Sequence, residues 1–161
     1  MQTYEVINDV LVNLFNEIWK KEGEAIITQE FKDISNNDMH IIEAVGMGAG
    51  NRMSSIAKKL DITVGSLTTA MDSLVKKNYV MRERSDRDRR VVNIRLTQKG
   101  ERAFLHHQEY HHKMTEAVIK SLREDEIEVL LKTLKSLAEF FRNYETNCRM
   151  EEFVLEKKQK L

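Results

Sequence analysis

Four of the five histidines in this 161-residue chain fall at 106, 107, 111 and 112. His107 and His111 stand four apart, so on a helix they share a face, a spacing that can chelate a metal ion. His40 can approach them from another segment, and Glu22 or Glu24 can add an oxygen ligand. The same two histidines also continue an apolar stripe made by Phe104, Met114 and Val118. Polar rings on such a stripe must find partners or carry a desolvation penalty. The residues therefore leave two readings open: a metal site at His40, His107 and His111, or an interdomain hydrogen-bond cluster that supports a ligand pocket. No metal or other cofactor is assigned. His106 and His112 are expected at the surface.

Other reactive groups are sparse. Cys148 is the single cysteine, so the chain has no disulfide framework of its own and fits a reducing compartment. Only Arg149 offers it a cationic neighbour, too little for a redox thiol. Gly46, Gly48 and Gly50 are not a phosphate loop, because no strand precedes them and no Gly-Lys-Ser/Thr follows. No Ser/His/Asp or Cys/His arrangement is supported, so the chain is not expected to be an enzyme.

The cations carry the second kind of chemistry. Formal charge sums to zero, which taken alone argues against a polyanion partner. Its distribution argues the opposite. Residues 52–102 hold 13 basic against 6 acidic side chains, a net of +7, while residues 1–51 carry −6 and residues 103–161 carry −1. A basic segment between acidic flanks is the footprint of a nucleic-acid site.

Helices and a hairpin must hold these groups in place. Ile7, Val10, Leu11, Leu14, Phe15, Ile18 and Trp19 recur at helical spacing over roughly residues 3–22, and Gly23 weakens continuation. Ser35–Asp38 offers an N-cap for a short helix through Met39, Ile41, Ile42 and Val45, which the glycines at 46–50 stop. Ile56, Ala57 and Leu60 mark one face of a following helix. Thr63 opens another, with Leu67, Ala70, Met71, Leu74 and Val75 inside and Asn78 at its C-cap. Two short helices joined by a tight turn form a helix-turn-helix. Tyr79–Arg84 and Val91–Leu96 then read as a two-stranded hairpin with a charged tip, Ser85 to Arg90. Thr97 caps a long helix. Ser121 to Glu124 has capping-box form, although Ser121 also fits the end of the preceding helix. A last helix carries Ile127, Leu130, Leu131, Leu134, Leu137, Ala138 and Phe141, and Glu151–Leu161 reads as a charged tail.

This pattern is a winged helix-turn-helix: mainly α with a small β-hairpin wing (α+β). The second helix of the pair can enter the major groove with its outward residues Thr63, Val64, Gly65, Ser66, Thr68, Thr69 and Asp72. These are mostly small or hydroxylic, so the helix can come close to base edges and phosphates. Arg84, Arg87, Arg89 and Arg90 suit a wing in the minor groove, where arginine reads shape and potential.

The run Asp86 to Gly100 resembles the wing signature of the MarR family of bacterial transcriptional regulators: an acidic-basic tip, a strand, then Leu96-Thr97-x-x-Gly100. The resemblance extends from about Ile7 to Tyr144. It implies that Asp88 orients Arg90 in the minor groove. Lys76-Lys77-Asn78-Tyr79-Val80 is similar to the family's helix ending, with Asn78 where a glycine is usual. Within the family, Phe31 to Ser35, Met39-His40, Thr63 to Thr69 and the pair His107/His111 resemble the repressors of fatty-acid synthesis in Gram-positive bacteria. That branch uses acylated acyl carrier protein as corepressor. A zinc-sensing branch is similar at positions 40, 107 and 111, so a zinc-responsive regulator of metal uptake is the alternative.

Residues 1–34 and 103–161 are expected to form a helical dimerisation region around a winged-helix region at 35–102. A winged-helix module fills its own core, which leaves the stripes of the first and last helices for a second copy. Such a homodimer reads a pseudo-palindromic operator in double-stranded DNA. An effector pocket between the two regions draws on Phe15, Trp19, Phe31, Met39, His40, Phe104, His107 and His111, an apolar lining suited to an acyl chain or aromatic acid. No apolar run is long enough to span a membrane and no secretory signal is evident, so a cytoplasmic location is expected. A winged-helix protein-interaction module is the competing class. It needs apolar anchors on the wing, where this tip is charged.

Overall fold

The computed structural model describes residues 2–84 and 91–159, with side chains described as far as Tyr144. The chain divides into two compact units, Met1–Lys113 and Met114–Leu161, with the boundary inside one long helix.

The first unit opens with α1 (Gln2–Asp9), a wide π-helical turn (Val10–Leu14) and α2 (Phe15–Ile26). The helix does not fade at Gly23. It continues to Ile26, because Glu22 and Ile26 are both buried there. Burial of Ile26 outweighs the helix penalty of glycine, about 1 kcal/mol. A loop with Phe31 and Ile34 in the core leads to α3 (Asn36–Val45). Ser35 and Asp38 form a reciprocal capping box: Asp38 N–H donates to Ser35 Oγ at 3.2 Å and Ser35 N–H to Asp38 Oδ2 at 3.0 Å.

The glycine segment does more than end α3. Gly50 has φ +83, and a Cβ placed on it would lie 2.4 Å from the Ile94 carbonyl oxygen. Only glycine lets the backbone pass there. The close approach allows β1 (Asn51–Arg52) to pair with β3 (Val92–Leu96), through Asn51↔Ile94 and Arg52↔Asn93. The expected two-stranded hairpin is therefore a three-stranded antiparallel sheet of order β1-β3-β2, with β2 at Val80–Arg84.

The helix-turn-helix is α4 (Met53–Lys59) and α5 (Val64–Lys76). Thr63 caps α5, accepting from Ser66 N–H at 3.1 Å. Asn78 takes the left-handed conformation expected of it, at φ 63. The core of this unit is built by Ile26, Met39, Ile42, Val45, Ile56, Leu67, Met71, Leu74, Tyr79 and Ile94. Exposed on its first helices are Ile7, Val10, Leu14, Phe15, Ile18 and Trp19.

The first turn of α6 (Gln98–Lys120) is fixed by Thr97 and Gly100. Gly100 N–H donates to Thr97 Oγ1 at 3.1 Å, and Thr97 N–H to the Tyr79 carbonyl at 3.0 Å. A Cβ on Gly100 would meet the Tyr79 carbonyl oxygen at 2.0 Å. In the second unit, Ser121 ends α6, its Oγ donating to the Val118 carbonyl at 2.7 Å. The cap of α7 (Glu124–Gln159) comes instead from Glu126, which accepts from Arg123 N–H at 2.8 Å. The segment expected as a charged tail is helical to Gln159. Val118, Leu131, Leu134 and Phe141 are exposed on the helices of this unit.

Candidate nucleic-acid interface and a buried histidine cluster

The outward face of α5 is as the sequence suggests: Thr63, Val64, Gly65, Ser66, Thr68 and Thr69 are exposed, above a buried row of Leu67, Met71 and Leu74. Local hydrogen bonds hold the hydroxyls. Thr63 Oγ1 lies 2.8 Å from Ser66 Oγ, and Thr68 Oγ1 donates to the Val64 carbonyl at 2.7 Å. Each oxygen keeps accepting capacity for a nucleic-acid donor. Asp72 differs from its neighbours. Its carboxylate accepts from the Arg82 guanidinium on β2, so both charges are engaged. Arg87, Asp88, Arg89 and Arg90 lie outside the described residues; Arg84 is exposed at the end of β2.

The basic segment is less free than its net charge implies. Its cations on one side meet acids of the first third of the chain: Lys99 with Asp33 at 2.8 Å, Arg102 with Glu30 at 2.8 Å and Lys77 with Asp38 at 3.4 Å. Arg95 is held by Glu83 at 2.8 Å and by the Gly48 carbonyl at 3.2 Å. Among the described residues, Arg52, Lys58, Lys76 and Arg84 have no carboxylate in ion-pairing range. The acidic flank thus neutralises part of the module and leaves a smaller set of cations for a polyanion.

Tyr79 anchors the Lys99–Asp33 pair to the core. Its ring is fully buried, its hydroxyl donates to Asp33 Oδ1 at 2.6 Å, and Lys99 Nζ sits 4.0 Å from the ring centroid. Burial and the Asp33 carboxylate push the phenol far above its ordinary value. Burial also disfavours the Asp33 charge, but the bonds from Lys99 and Tyr79 outweigh it and hold the carboxyl below its usual range.

The histidines gather around Glu22, not Glu24, which is exposed and bonded to Lys21. Glu22 Oε1 lies 2.9 Å from His107 Nε2 and 2.9 Å from His111 Nε2, and those two nitrogens are 3.0 Å apart. His40 Nε2 is 3.3 Å from Glu22 Oε2, without the alignment of a hydrogen bond. His107 Nδ1 is 3.6 Å from Glu43 Oε2. Burial pushes the His107 imidazole below its ordinary value. Burial opposes ionisation of Glu22, but hydrogen bonds from His107 and Asn36 keep its carboxyl low. The arrangement is a carboxylate facing three imidazole rings. Asn36 Oδ1, His40 Nε2 and His107 Nδ1 are buried without hydrogen-bond partners, an uncompensated penalty that an additional bound group would relieve. Glu22 with His107 and His111, and Glu43 with His40 and His107, have the geometry of metal-ligand sets. A tetrahedral ion with bonds of about 2.0–2.1 Å keeps its ligands about 3.3 Å apart, close to the spacing of the first set.

Glu43 was not anticipated from the sequence, although its place one helical turn after His40 was a readable signal. His106, expected at the surface, is half-buried with its ring 5.3 Å from that of Phe31. Of the pocket candidates, Phe31 and Met39 are packed in the core, Phe104 packs against it, and Phe15 is exposed. Trp19 and His40 come together: their rings stack at 5.1 Å, and both line a 500 Å³ cavity with Asn37, Glu43, Ala44, Lys59 and Leu60. That cavity touches the last turn of α4, so it adjoins the helix-turn-helix.

A capped, hydroxyl-faced second helix beside a basic three-stranded wing defines a winged-helix DNA-binding protein. The chain belongs to the MarR family, whose pattern matches residues 34–92, and it is a transcriptional regulator that binds DNA. It is 30% identical over 107 residues to the HTH-type transcriptional regulator YpoP of Bacillus subtilis (strain 168), covering 66% of this chain and 74% of that protein. It is similar to Streptococcus pneumoniae FabT, solved in complex with DNA, with a TM-score of 0.81, 36% identity, and coverage of 87% of this chain and 98% of that one. It shares the fold of MepR, a transcription regulator of the Staphylococcus aureus multidrug efflux pump MepA, with a TM-score of 0.64, 20% identity, and coverage of 83% of this chain and 97% of that one. No helix among the described residues is long and apolar enough to cross a membrane.

Proposed function

We propose that the chain is a dimeric, ligand-responsive repressor of fatty-acid synthesis genes, with an acyl group, free or on acyl carrier protein, as its effector. The observation that carries the DNA reading is the α5 face: exposed hydroxyls on a Thr63-capped helix, with Arg84 on the adjoining wing. Thr63 to Asp72 reads the major groove and Arg84, Arg87, Arg89 and Arg90 serve the wing, Asp88 orienting Arg90. The fatty-acid branch rests on the sequence resemblance and on the similarity to FabT over almost all of that chain. The exposed apolar residues of the first helices and of α7 favour burial against a second copy. The cavity beside Trp19 and His40 offers an effector a place next to α4. An effector acts there only through unequal affinity for the DNA-competent and incompetent spacings of the recognition helices.

The test is titration of the purified protein against the duplex upstream of its own coding sequence, across a salt series, with and without acylated acyl carrier protein. Tight, salt-dependent binding that the acylated carrier changes and the unacylated carrier does not supports the reading. A salt slope near zero removes the DNA role. DNA binding indifferent to the acylated carrier removes the acyl effector.

One observation favours a zinc-responsive regulator as the second reading: the triangle of Glu22, His107 and His111 with unpartnered polar atoms around it. Metal analysis of protein purified without an affinity tag decides it. Stoichiometric zinc lost on replacing His107 and His111 by alanine supports a site; metal-free wild-type protein that also takes up no added zinc removes it.

A further inference from the structure

We propose that Arg52, outside both the recognition helix and the wing tip, is an additional DNA-backbone contact that grips a phosphate between the two. The inference rests on the DNA-binding reading above and extends it to a third element of the fold.

The first observation is that Arg52 is in the wrong place for helix stability. It occupies the N-cap position of α4, and no side-chain hydrogen bond caps that helix. The capping positions of α3 and α5 carry Ser35 and Thr63, each accepting a backbone N–H. Arginine has only donors, so it cannot accept from the free N–H groups of a first turn. A cation there also faces the positive end of the helix dipole. The local fold therefore gains nothing from Arg52 that a serine or threonine would not supply better.

The second observation is that nothing inside the described protein uses the charge. Arg52 is exposed and has no ion pair or side-chain hydrogen bond among the described residues. Two neighbouring sheet cations are engaged, Arg82 by Asp72 and Arg95 by Glu83 and the Gly48 carbonyl, while Arg84 at the end of β2 is unpaired like Arg52 among the described residues.

The third observation is position. Arg52 lines a cavity of 410 Å³ together with Ser54, Val64, Val91 and Val92. Val64 is the first residue of α5, and Val91 and Val92 stand at the entry to β3. The cavity thus joins the start of the recognition helix to the root of the wing. Pairing of Arg52 with Asn93 holds the guanidinium's backbone at this junction, and Gly50, which tolerates no Cβ, holds β1 against β3. When α5 lies in the major groove and the wing in the adjacent minor groove, the strand between those grooves passes the junction. A guanidinium suits its phosphate, with paired donors for two oxygens.

A phosphate contact carries no sequence information, so the probe is a 30-base-pair duplex of random sequence, titrated from 50 to 200 mM salt. The variants are Arg52→Thr and Arg52→Ala. Threonine installs the missing cap and separates folding from binding. Arg52→Thr is expected to melt at or above the wild-type temperature, to bind several-fold more weakly, and to lose about 0.9 from the magnitude of the log–log salt slope for each protomer bound. Arg52→Ala is expected to lose the same slope. Wild-type binding with unchanged affinity and slope in both variants overturns the assignment while leaving the DNA-binding reading intact. Wild-type protein that binds no duplex overturns both.

Discussion

Asp72 of the recognition helix is ion-paired with Arg82 of the wing strand β2, and both side chains are roughly half-exposed. The residue that the sequence offers as a base reader is thus also a tie between α5 and the wing strand β2. A pair this open contributes at most about 1 kcal/mol to stability, so its effect is expected in binding. Asp72→Asn removes a negative charge from the face proposed to approach DNA and releases Arg82. The expected outcome is tighter binding to random duplex with a steeper salt slope and an almost unchanged melting temperature. Weaker binding at unchanged stability gives Asp72 a direct role in reading the operator instead.

Glycines 65 and 100 predict opposite outcomes for the same substitution. A methyl group on Gly100 meets the Tyr79 carbonyl oxygen at 2.0 Å, and the backbone on both sides is hydrogen-bonded in place. Gly100→Ala is expected to destabilise the fold by at least about 1–3 kcal/mol, the range for overpacking a filled site. On Gly65 the nearest atom outside the helix is Thr63 Oγ1 at 3.7 Å, so Gly65→Ala should leave stability equal or raise it by up to about 1 kcal/mol. Its methyl lies on the exposed face proposed to approach DNA, and duplex affinity should fall. Thermal melts and duplex titration of both variants separate packing from recognition. Gly65→Ala with full affinity removes that position from the interface.

These glycines mark where the sequence was legible. Thr63, Asn78 and Thr97 were readable because each satisfies a local rule about helix ends, and the apolar spacing of Leu67, Met71 and Leu74 named the buried face of α5. The third strand was not readable. Asn51–Arg52 is too short to show alternation, and its pairing is decided by close approach at Gly50, a tertiary fact. The persistence of α2 to Ile26 likewise depends on burial of Glu22 and Ile26 by later segments. For the histidine cluster, the four-residue spacing gave His107 and His111. Choosing Glu22 over Glu24 needed the packing of α2, α3 and α6.

The Tyr79–Asp33 bond predicts alkaline sensitivity. The phenol titrates far higher in the folded chain than in the unfolded one. Above the ordinary tyrosine value, near pH 10, the unfolded state therefore holds fewer protons than the folded state, and stability falls as pH rises. Tyr79→Phe is expected to cost about 1 kcal/mol at neutral pH, for one lost hydrogen bond, and to flatten the decline above pH 10. Denaturant titrations at pH 7, 9 and 10.5 check both parts. A variant that declines as steeply as wild type assigns the alkaline loss to other groups.

The second unit supplies the test of assembly. On α7, Leu131, Leu134 and Phe141 share one helical face and are large apolar side chains exposed to solvent in the single chain, and burying each removes roughly 1.5–3 kcal/mol of unfavourable hydration. Leu134→Asp places a charge in any interface formed by that face. The expected result is a shift from dimer to monomer in sedimentation, with weaker operator binding because two half-sites are no longer held together. The salt slope should fall with it, since one protomer contributes half the phosphate contacts. A Leu134→Asp protein that sediments as a dimer and binds normally excludes this face from the interface and leaves the exposed stripe of α1 and α2, with Ile18 and Trp19, as the surface to substitute next.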